Sequence, residues 1–141
     1  MSKSGVIIII EDDIDDRKFL GEILKELEIP NELKWFESAE DAMDYLCTTS
    51  QSIFVILSDV NLPGKNGLDF KRTLDSDPKL RKKSIPFIFY STAANQEDVN
   101  DAYLNMTIQG FFKKGPDYEQ AKKAIKIILD YWKLCRHPNT Q

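Results

Sequence analysis

The sequence has few of the residues on which disulfide-rich, zinc-thiolate or histidine-based proteins depend. It contains two cysteines and one histidine in 141 residues. Cys47 and Cys135 stand on separate helical patterns without metal-like spacing, which predicts reduced structural thiols in a cytoplasmic protein. His137 lies in a polar tail with nothing nearby to orient it, so we assign it no catalytic role.

Long apolar runs are also missing. No run approaches the roughly 20 residues that a membrane-spanning helix needs. The apolar run near the N terminus leads directly into acidic residues and has no small-residue cleavage site, which predicts a buried strand rather than a signal peptide. We therefore expect no membrane partner.

Charge of either sign is not concentrated in one part of the chain. The 19 basic and 23 acidic residues give a net charge of −4, and they are mixed along the sequence. The lysines at 83 and at 113–114 are too few to form a basic stripe, so we expect no direct binding to nucleic acid. The length predicts a single domain over residues 1–136, followed by a short tail over 137–141.

The stretch from Ile53 to Gly64 indicates where a functional site is to be expected. Ile53–Leu57 is a continuous apolar run, which is typical of a strand buried on both faces. The run stops at Ser58 and Asp59, and a Pro-Gly turn signal follows. Asp59 is therefore predicted at the C-terminal end of a central strand, where open parallel sheets bind ligands and a carboxylate can serve as nucleophile or metal ligand.

The rest of the chain alternates short apolar runs with amphipathic helical patterns, five times over. This order predicts a parallel sheet with helices on both faces and right-handed crossovers. Residues 75–84 are polar and basic, which favours a surface connection. The predicted strands are 6–10, 33–36, 53–57, 85–90 and 110–113, and the predicted helices are 15–28, 38–46, 67–74, 95–105 and one opening at Pro116 and Asp117.

Polar residues at the ends of the predicted strands should gather at one edge of the sheet. Converging carboxylates repel one another, and a hard divalent cation relieves that repulsion. Mg²⁺ fits because it accepts few protein ligands and keeps several waters. Glu11, Asp12 and Asp13 taken alone are equally well explained as an acidic helix start at the surface. The residues at the strand ends are Glu11, Asp12, Asp59, Ser91, Thr92 and Lys114.

The sequence resembles the receiver domain of a two-component response regulator over nearly its whole length. The segments 7–13, 58–67, 86–92 and 110–114 carry the resemblance. The acidic residues at 11–17 and the Asp-Tyr-Trp at 130–132 are most similar to stand-alone receivers that serve bacterial phytochromes and similar sensor kinases. The family implies a flavodoxin-like (βα)5 fold, a doubly wound parallel five-stranded sheet with the strand order 2-1-3-4-5.

The resemblance implies a phosphoryl-transfer role for this edge. Asp59 would accept a phosphoryl group from a phosphohistidine of a sensor histidine kinase, as the phosphorylated residue. Asp12, Asp59 and the backbone carbonyl of Asn61 would hold Mg²⁺, with Glu11 reaching the ion through water. Mg²⁺ and the ammonium of Lys114 would offset the charge that otherwise opposes attack on phosphorus.

The resemblance also implies a switch. Ser91 would bond a phosphoryl oxygen and move toward it, which lets Phe111 turn inward. We expect Thr92 to be a plain surface hydroxyl and Phe112 to be core, while Phe111 fits either core packing or the switch. With no output domain expected after residue 136, a changed surface must carry the signal to a downstream protein or phosphotransfer partner. That surface is expected on helix 95–105, strand 110–113 and the last helix, near Tyr103 and Tyr131, and it is a candidate for homodimerisation.

Some residues depart from the family pattern. Gly115 separates Lys114 from Pro116, although the family lysine is followed directly by proline through a cis peptide, and a cis bond before glycine costs about 2.5–4 kcal/mol. Lys113 becomes a rival for the functional lysine, but strand alternation counted from Gly110 favours Lys114. Phe111 lacks the hydroxyl common at this position, which predicts weaker coupling. Ala93 offers no group to position water, which predicts slow-to-moderate self-dephosphorylation.

Two alternatives to the phosphoacceptor hypothesis stay open. A hydrolase with an aspartyl-phosphate intermediate would usually carry Asp-x-Asp on its first strand with a cap domain, whereas here Asp59-x-Asn61 follows the third strand. A degenerate receiver would bind a partner without phosphorylation. The presence of the acidic residues, Ser91 and a lysine weighs against this second alternative.

Overall fold

The computed structural model describes residues 4–91 and 95–136. Within these residues five strands alternate with six helices. The strands are β1 (Val6–Ile10), β2 (Leu33–Phe36), β3 (Ile53–Ser58), β4 (Phe87–Ser91) and β5 (Gly110–Lys113). The helices are α1 (Ile14–Glu26), α2 (Ala39–Thr48), α3 (Gly67–Ser76), α4 (Pro78–Lys82), α5 (Gln96–Asn105) and α6 (Tyr118–Leu134).

All five strands pair in parallel, in the order β2-β1-β3-β4-β5. The predicted doubly wound (βα)5 sheet and its strand order are confirmed. β1, β3 and β4 are the three inner strands, and every residue in them is buried. That explains why their sequences are continuous apolar runs instead of alternating ones.

Two apolar cores lie on opposite faces of the sheet. Ile8 and Ile10 of β1 contribute to the core beneath α2, α3, α4 and α5. Ile7 and Ile9 contribute to the core beneath α1 and α6. Strand alternation thus divides one run of isoleucines between two helical layers. Because a slip of one residue would turn every side chain to the other face, the strands are held in one register and their ends are aligned.

The helix starts follow from capping side chains. Asp13, Ser38 and Asn66 each accept a hydrogen bond from the backbone N–H three residues further on, at the starts of α1, α2 and α3. Asn95 and Asp117 do the same for α5 and α6. The predicted helix over 95–105 therefore begins one residue later, because Asn95 is its cap.

The prediction of a surface connection over 75–84 is wrong in part. α3 continues to Ser76, and α4 follows almost at once. Asp77 caps α4 by accepting bonds from the N–H groups of Lys79 and Leu80, and Pro78 occupies the first turn, where its missing N–H is harmless. Leu80 is buried in the core, so this basic segment is anchored through one apolar side chain.

The remaining differences are small. α1 ends at Glu26 instead of residue 28, and β4 begins at Phe87 instead of residue 85. Cys47 and Cys135 are free thiols. Thr92, Ala93, His137 and the predicted tail over 137–141 lie outside the described residues. Across residues 4–91 and 95–136, no helix combines the length and the apolar character needed to cross a membrane.

Candidate functional site

The predicted site lies at the edge of the sheet where the strands end. Beyond the strands the parallel hydrogen bonding continues by one residue, since Asp59 N–H donates to the carbonyl of Ile10 over 3.0 Å. Lys114 N–H likewise donates to the carbonyl of Ser91 over 2.9 Å. Backbone pairing therefore sets the positions from which the side chains of Asp59 and Lys114 extend.

The ammonium of Lys114 contacts three carboxylates from three elements. It pairs with Oε1 of Glu11, and its Nζ lies 3.4 Å from both Asp16 Oδ2 and Asp59 Oδ2. The Lys114 side chain is 9% exposed, whereas Lys113 is exposed to solvent. Of the two candidate lysines, Lys114 is thus the one that reaches the acidic residues.

The carboxylate of Asp59 is held on both oxygens. Oδ1 accepts a hydrogen bond of 2.6 Å from Ser91 Oγ and one of 3.2 Å from the backbone N–H of Asn61. Oδ2 faces Lys114. Asp59 and Ser91 are 8% and 0% exposed, so these contacts replace nearly all the water around the carboxylate and fix its orientation.

Gly67 allows the loop after β3 to fold back onto this edge. Its N–H donates to the carbonyl of Val60 over 2.7 Å. A Cβ at this position would lie only 2.1 Å from the carbonyl oxygen of Asp59. The close approach of two backbone segments therefore requires glycine here, and it steadies the loop that carries Asn61.

Burial changes the proton affinity of Glu11. It raises the pKa of this carboxyl from 4.5 to about 7, against the lowering effect of Lys114, and the charge of Asp59 adds to the rise. Burial opposes the charge on Lys114, but its bond to Glu11 and the charges of Asp59 and Asp16 outweigh burial and raise the pKa of the lysine. Lys114 therefore stays charged between two buried acids.

Three carboxylates are close enough to share one cation. Ligand oxygens of Glu11, Asp16 and Asp59 all lie within 4.8 Å of one another. Oxygen donors at this spacing suit a hard divalent ion such as Mg²⁺. The edge therefore offers oxygen ligands of the kind that the predicted metal needs, but Lys114 already pairs with all three of these carboxylates, and a bound cation would share them with the lysine.

The members of this group differ in part from the predicted ligands. Asp12 is exposed and lies outside the group of three. Asp16, which is not among the predicted ligands, lies inside it. Asp16 stands in the first turn of α1, where its own N–H is capped by Asp13, and only the rotation of that helix about its axis aims its side chain at Lys114. The aspartates at 12, 13, 15 and 16 look alike in sequence, so no pattern singled it out.

The predicted switch residue Phe111 is half-buried. Its ring lies 5.3 Å from the ring of Phe89, against the core beneath α2 to α5. Its backbone N–H donates to the hydroxyl of Tyr103 over 3.0 Å. Phe112, expected in the core, is half-buried against the opposite core. Phe111 therefore links the strand that precedes Lys114 to the surface of α5.

The order of strands, the acidic edge and the lysine after β5 agree with a match to a family profile. The profile of the response regulator receiver domain matches residues 7–126. The chain belongs to this receiver domain family. It is therefore a receiver of the kind that acts in two-component signalling, as the sequence predicts, and the match includes Glu11, Asp59, Ser91 and Lys114.

Similar proteins include receivers of phytochrome systems. The response regulator Rcp1 of Synechocystis sp. is 27% identical over 132 residues, which cover 90% of this chain and 88% of Rcp1. The phosphorylated cyanobacterial phytochrome response regulator RcpA has a TM-score of 0.84 and 26% identity, over 96% of this chain and 99% of RcpA. The Mn²⁺-bound form of Rcp1 has a TM-score of 0.81 and 26% identity, over 95% of this chain and 99% of that one.

Proposed function

We propose that the protein accepts a phosphoryl group on Asp59 from a phosphohistidine of a sensor histidine kinase. The observation that carries this proposal is the position of the buried Asp59 carboxylate between the Ser91 hydroxyl and the Lys114 ammonium. The similarity of this chain to RcpA, whose structure is that of the phosphorylated protein, also supports phosphorylation.

In the proposed transfer, a carboxylate oxygen of Asp59 forms a bond to phosphorus as the phosphorus–nitrogen bond to the histidine breaks. The electron pair of that bond leaves with the imidazole. Lys114 offsets the charge that develops on the phosphoryl oxygens, since its ammonium is already within 3.4 Å of the attacking carboxylate. Ser91 donates its one hydroxyl proton to Asp59, and after transfer it would redirect that proton to a phosphoryl oxygen.

Mg²⁺ is the proposed cofactor, and when bound it would supply positive charge that offsets the charge of the incoming phosphoryl group. We propose Asp12, Asp59 and the Asn61 carbonyl as its ligands, with Glu11 bound through water. Asp12 makes no ion pair among the described residues, so its exposed carboxylate is available to a cation. The Mn²⁺-bound form of the similar Rcp1 supports the binding of a divalent ion. Asp16 is better assigned to holding Lys114, because the two groups form an ion pair.

The proposed output is a change of surface on α5, β5 and α6. Movement of Ser91 toward a phosphoryl group would shift the end of β4, the strand to which Ser91 belongs. Phe89 of β4 packs against Phe111 of β5, so the shift would reach β5. Large apolar side chains on this surface are exposed to water, and exposed apolar patches mark sites of protein contact. A phytochrome-like kinase, a downstream protein and a second copy of this chain in the cytoplasm are the proposed partners. The exposed apolar residues are Tyr103, Leu104, Ile127, Tyr131 and Leu134.

Intact-mass analysis after incubation with acetyl phosphate and Mg²⁺ tests the proposal. We expect the wild-type chain to gain one phosphoryl group and Asp59→Asn to gain none. Asp69→Asn is the matched control, because it makes the same chemical change at an exposed position and should be phosphorylated like the wild type.

The other outcomes separate the alternatives. A stable gain in Asp59→Asn would move the phosphorylated residue elsewhere. Absence of any gain in the wild type would favour a degenerate receiver that binds partners without phosphorylation. Rapid multiple-turnover hydrolysis of a small phosphate ester would favour a hydrolase, an activity that membership of a signalling-domain family does not support.

A further inference from the structure

A cavity lies at the edge of the sheet where the strands begin, opposite to the edge that carries Asp59. It has a volume of about 250 Å³ and opens where β4 and β5 begin, because Phe87 and Gln109 are among its lining residues. Both apolar and polar side chains line it. Its apolar lining includes Leu46, Ile56, Leu74, Leu80, Ile85 and Phe87, and its polar lining is Lys71, Asp75, Arg81, Ser84, Thr107 and Gln109.

The lining of this cavity includes a buried lysine, Lys71. The residue is only 5% exposed, and its Nζ donates to Asp75 Oδ1 over 2.8 Å and to Thr107 Oγ1 over 3.0 Å. The same ammonium lies 5.1 Å from the centre of the Phe87 ring. Burying a lysine–aspartate pair generally gives no more stability than apolar side chains of the same volume. A buried charge that faces a cavity is therefore a candidate for binding a ligand.

The charges around the cavity do not balance. Asp75 is its one carboxylate, and both oxygens of Asp75 are engaged, Oδ1 by Lys71 and Thr107 Oγ1 and Oδ2 by the backbone N–H of Thr107. Burial lowers the pKa of Lys71, and the nearby charge of Arg81 lowers it further, while Asp75 opposes both effects. Two cations thus face one occupied carboxylate, which leaves a net positive charge.

Gln109, another polar residue of the cavity lining, also offers donors. Oε1 of Gln109 accepts a hydrogen bond of 2.6 Å from the N–H of Phe87, so this amide presents its NH2 group to other partners. Lys71, Arg81 and Gln109 therefore all favour an acceptor that carries negative charge. The apolar lining residues favour a hydrocarbon body.

We propose that this cavity binds a small amphipathic anion, namely an aromatic or short aliphatic carboxylate. Its carboxylate would lie against Lys71 and Arg81, and its apolar part against Leu74 and Phe87. The volume is sufficient, because a protein cavity of about 150 Å³ already holds benzene. The proposal goes beyond phosphorylation and does not depend on it, since none of these residues lies at the Asp59 site.

Benzoate and its neutral isostere benzamide test the proposal on the full chain. Amide chemical shifts are recorded during titration, and the N–H groups of Thr107 and Gln109 are the reporters because both residues line the cavity. We expect saturable shifts at these amides with benzoate, and an affinity about tenfold lower for benzamide, because it lacks the charge that Lys71 and Arg81 complement. The same titration on Asp59→Asn should give the same result.

Arg81→Gln removes one cation and leaves the Lys71–Asp75 pair intact. Lys71→Met is unsuitable, because it would leave the carboxylate of Asp75 without its partner. We expect Arg81→Gln to weaken benzoate about threefold and to leave benzamide unchanged. Lys79→Gln removes an equal charge from the same helix outside the cavity lining, and it should change neither affinity. Absence of saturable shifts with benzoate, equal affinity for benzamide, or an unchanged benzoate affinity in Arg81→Gln would overturn the assignment.

Discussion

Ser91 Oγ donates a hydrogen bond of 2.6 Å to Asp59 Oδ1, although the two residues are 32 positions apart. They lie at adjacent strand ends, so one bond joins the proposed phosphorylated residue to the strand beside it. If Asp59 is phosphorylated and the Ser91 hydroxyl turns to the phosphoryl group, this bond breaks. The bond is therefore the most direct connection between the chemistry at Asp59 and any movement of β4.

Ser91→Ala should separate phosphorylation from its structural effect. We expect the free energy of unfolding to fall by about 1–2 kcal/mol, because a buried carboxylate loses a donor. The amide shift of Phe111 that accompanies phosphorylation should largely disappear. Ser58→Ala is the control, since Ser58 is also buried but donates to the backbone carbonyl of Asp59, and it should keep that shift. Equal shifts in the two variants would exclude the proposed role of Ser91.

Lys114→Met should impair both stability and phosphorylation. Removing the ammonium leaves Glu11 and Asp59 buried without compensation, which should lower the free energy of unfolding by roughly 3 kcal/mol. The rate of phosphorylation by acetyl phosphate should fall by about 10²-fold or more, as expected when one stabilising group is removed. Urea unfolding and intact-mass time courses measure the two effects.

The control for Lys114→Met is Lys113→Gln, at the exposed neighbouring position. Its free energy of unfolding should stay within about 0.5 kcal/mol of the wild type, and its phosphorylation rate should be unchanged. A larger loss of phosphorylation in Lys113→Gln than in Lys114→Met would reverse the assignment of the functional lysine.

The raised pKa of Glu11 predicts a stability that falls as the pH rises. Because burial raises this pKa from 4.5 to about 7, the folded protein binds more protons than the unfolded chain between these values. The free energy of unfolding should therefore decrease from pH 4.5 to pH 7, by at most about 3 kcal/mol from this group, and then level off. Urea unfolding of wild type and Glu11→Gln at pH 5 and pH 8 checks the sign, because the variant should lose this difference.

Gly67→Ala should be strongly destabilising. The new Cβ would meet the carbonyl oxygen of Asp59 at 2.1 Å, so one of two backbone segments must move, at roughly 2–3 kcal/mol in the free energy of unfolding. Gly115→Ala is the matched control, because a Cβ there meets nothing within 4 Å and should change stability by less than about 0.5 kcal/mol. Similar unfolding midpoints for the two variants would contradict the close approach at Gly67.

The two aspartates at the start of α1 should differ in their effects on metal binding. Calorimetric titration with Mg²⁺ should show about tenfold weaker binding in Asp12→Asn, the proposed direct ligand. Asp16→Asn should weaken Mg²⁺ less and should slow phosphorylation, because its partner is the ammonium of Lys114. The reverse order of affinities would make Asp16 the ligand and would remove Asp12 from the metal site.

The positions of Glu11, Asp59, Ser91 and Lys114 could be predicted from the sequence for a simple physical reason. Inner strands of a parallel sheet are marked by continuous apolar runs, and their C-terminal ends must meet at one edge. Residues at or just beyond the ends of these strands therefore lie at this edge whatever the details of side-chain packing. Strand alternation also explains why Lys114, and not the neighbouring Lys113, reaches the acidic residues.

The features that the sequence did not predict depend on packing instead of periodicity. The assignment of Asp16 requires the rotation of α1 about its axis, which its core contacts at Leu20 and Leu24 decide. α4 is too short for a helical pattern, and one buried leucine anchors it. The cavity beside Lys71 arises where α3, α4 and the segment before β5 meet, and no single stretch of sequence encodes that meeting.

Lys114 and Glu11 form one ion pair across 103 positions of the chain. During synthesis, the ribosome delivers the acidic residues long before it delivers the lysine that neutralises them. Until Lys114 is made, the carboxylates of Glu11, Asp16 and Asp59 lack the ammonium that contacts all three of them in the folded protein. The charge balance of this edge therefore depends on both ends of the chain, and a polypeptide that stops before residue 114 should keep the acidic residues without the cation that pairs with them.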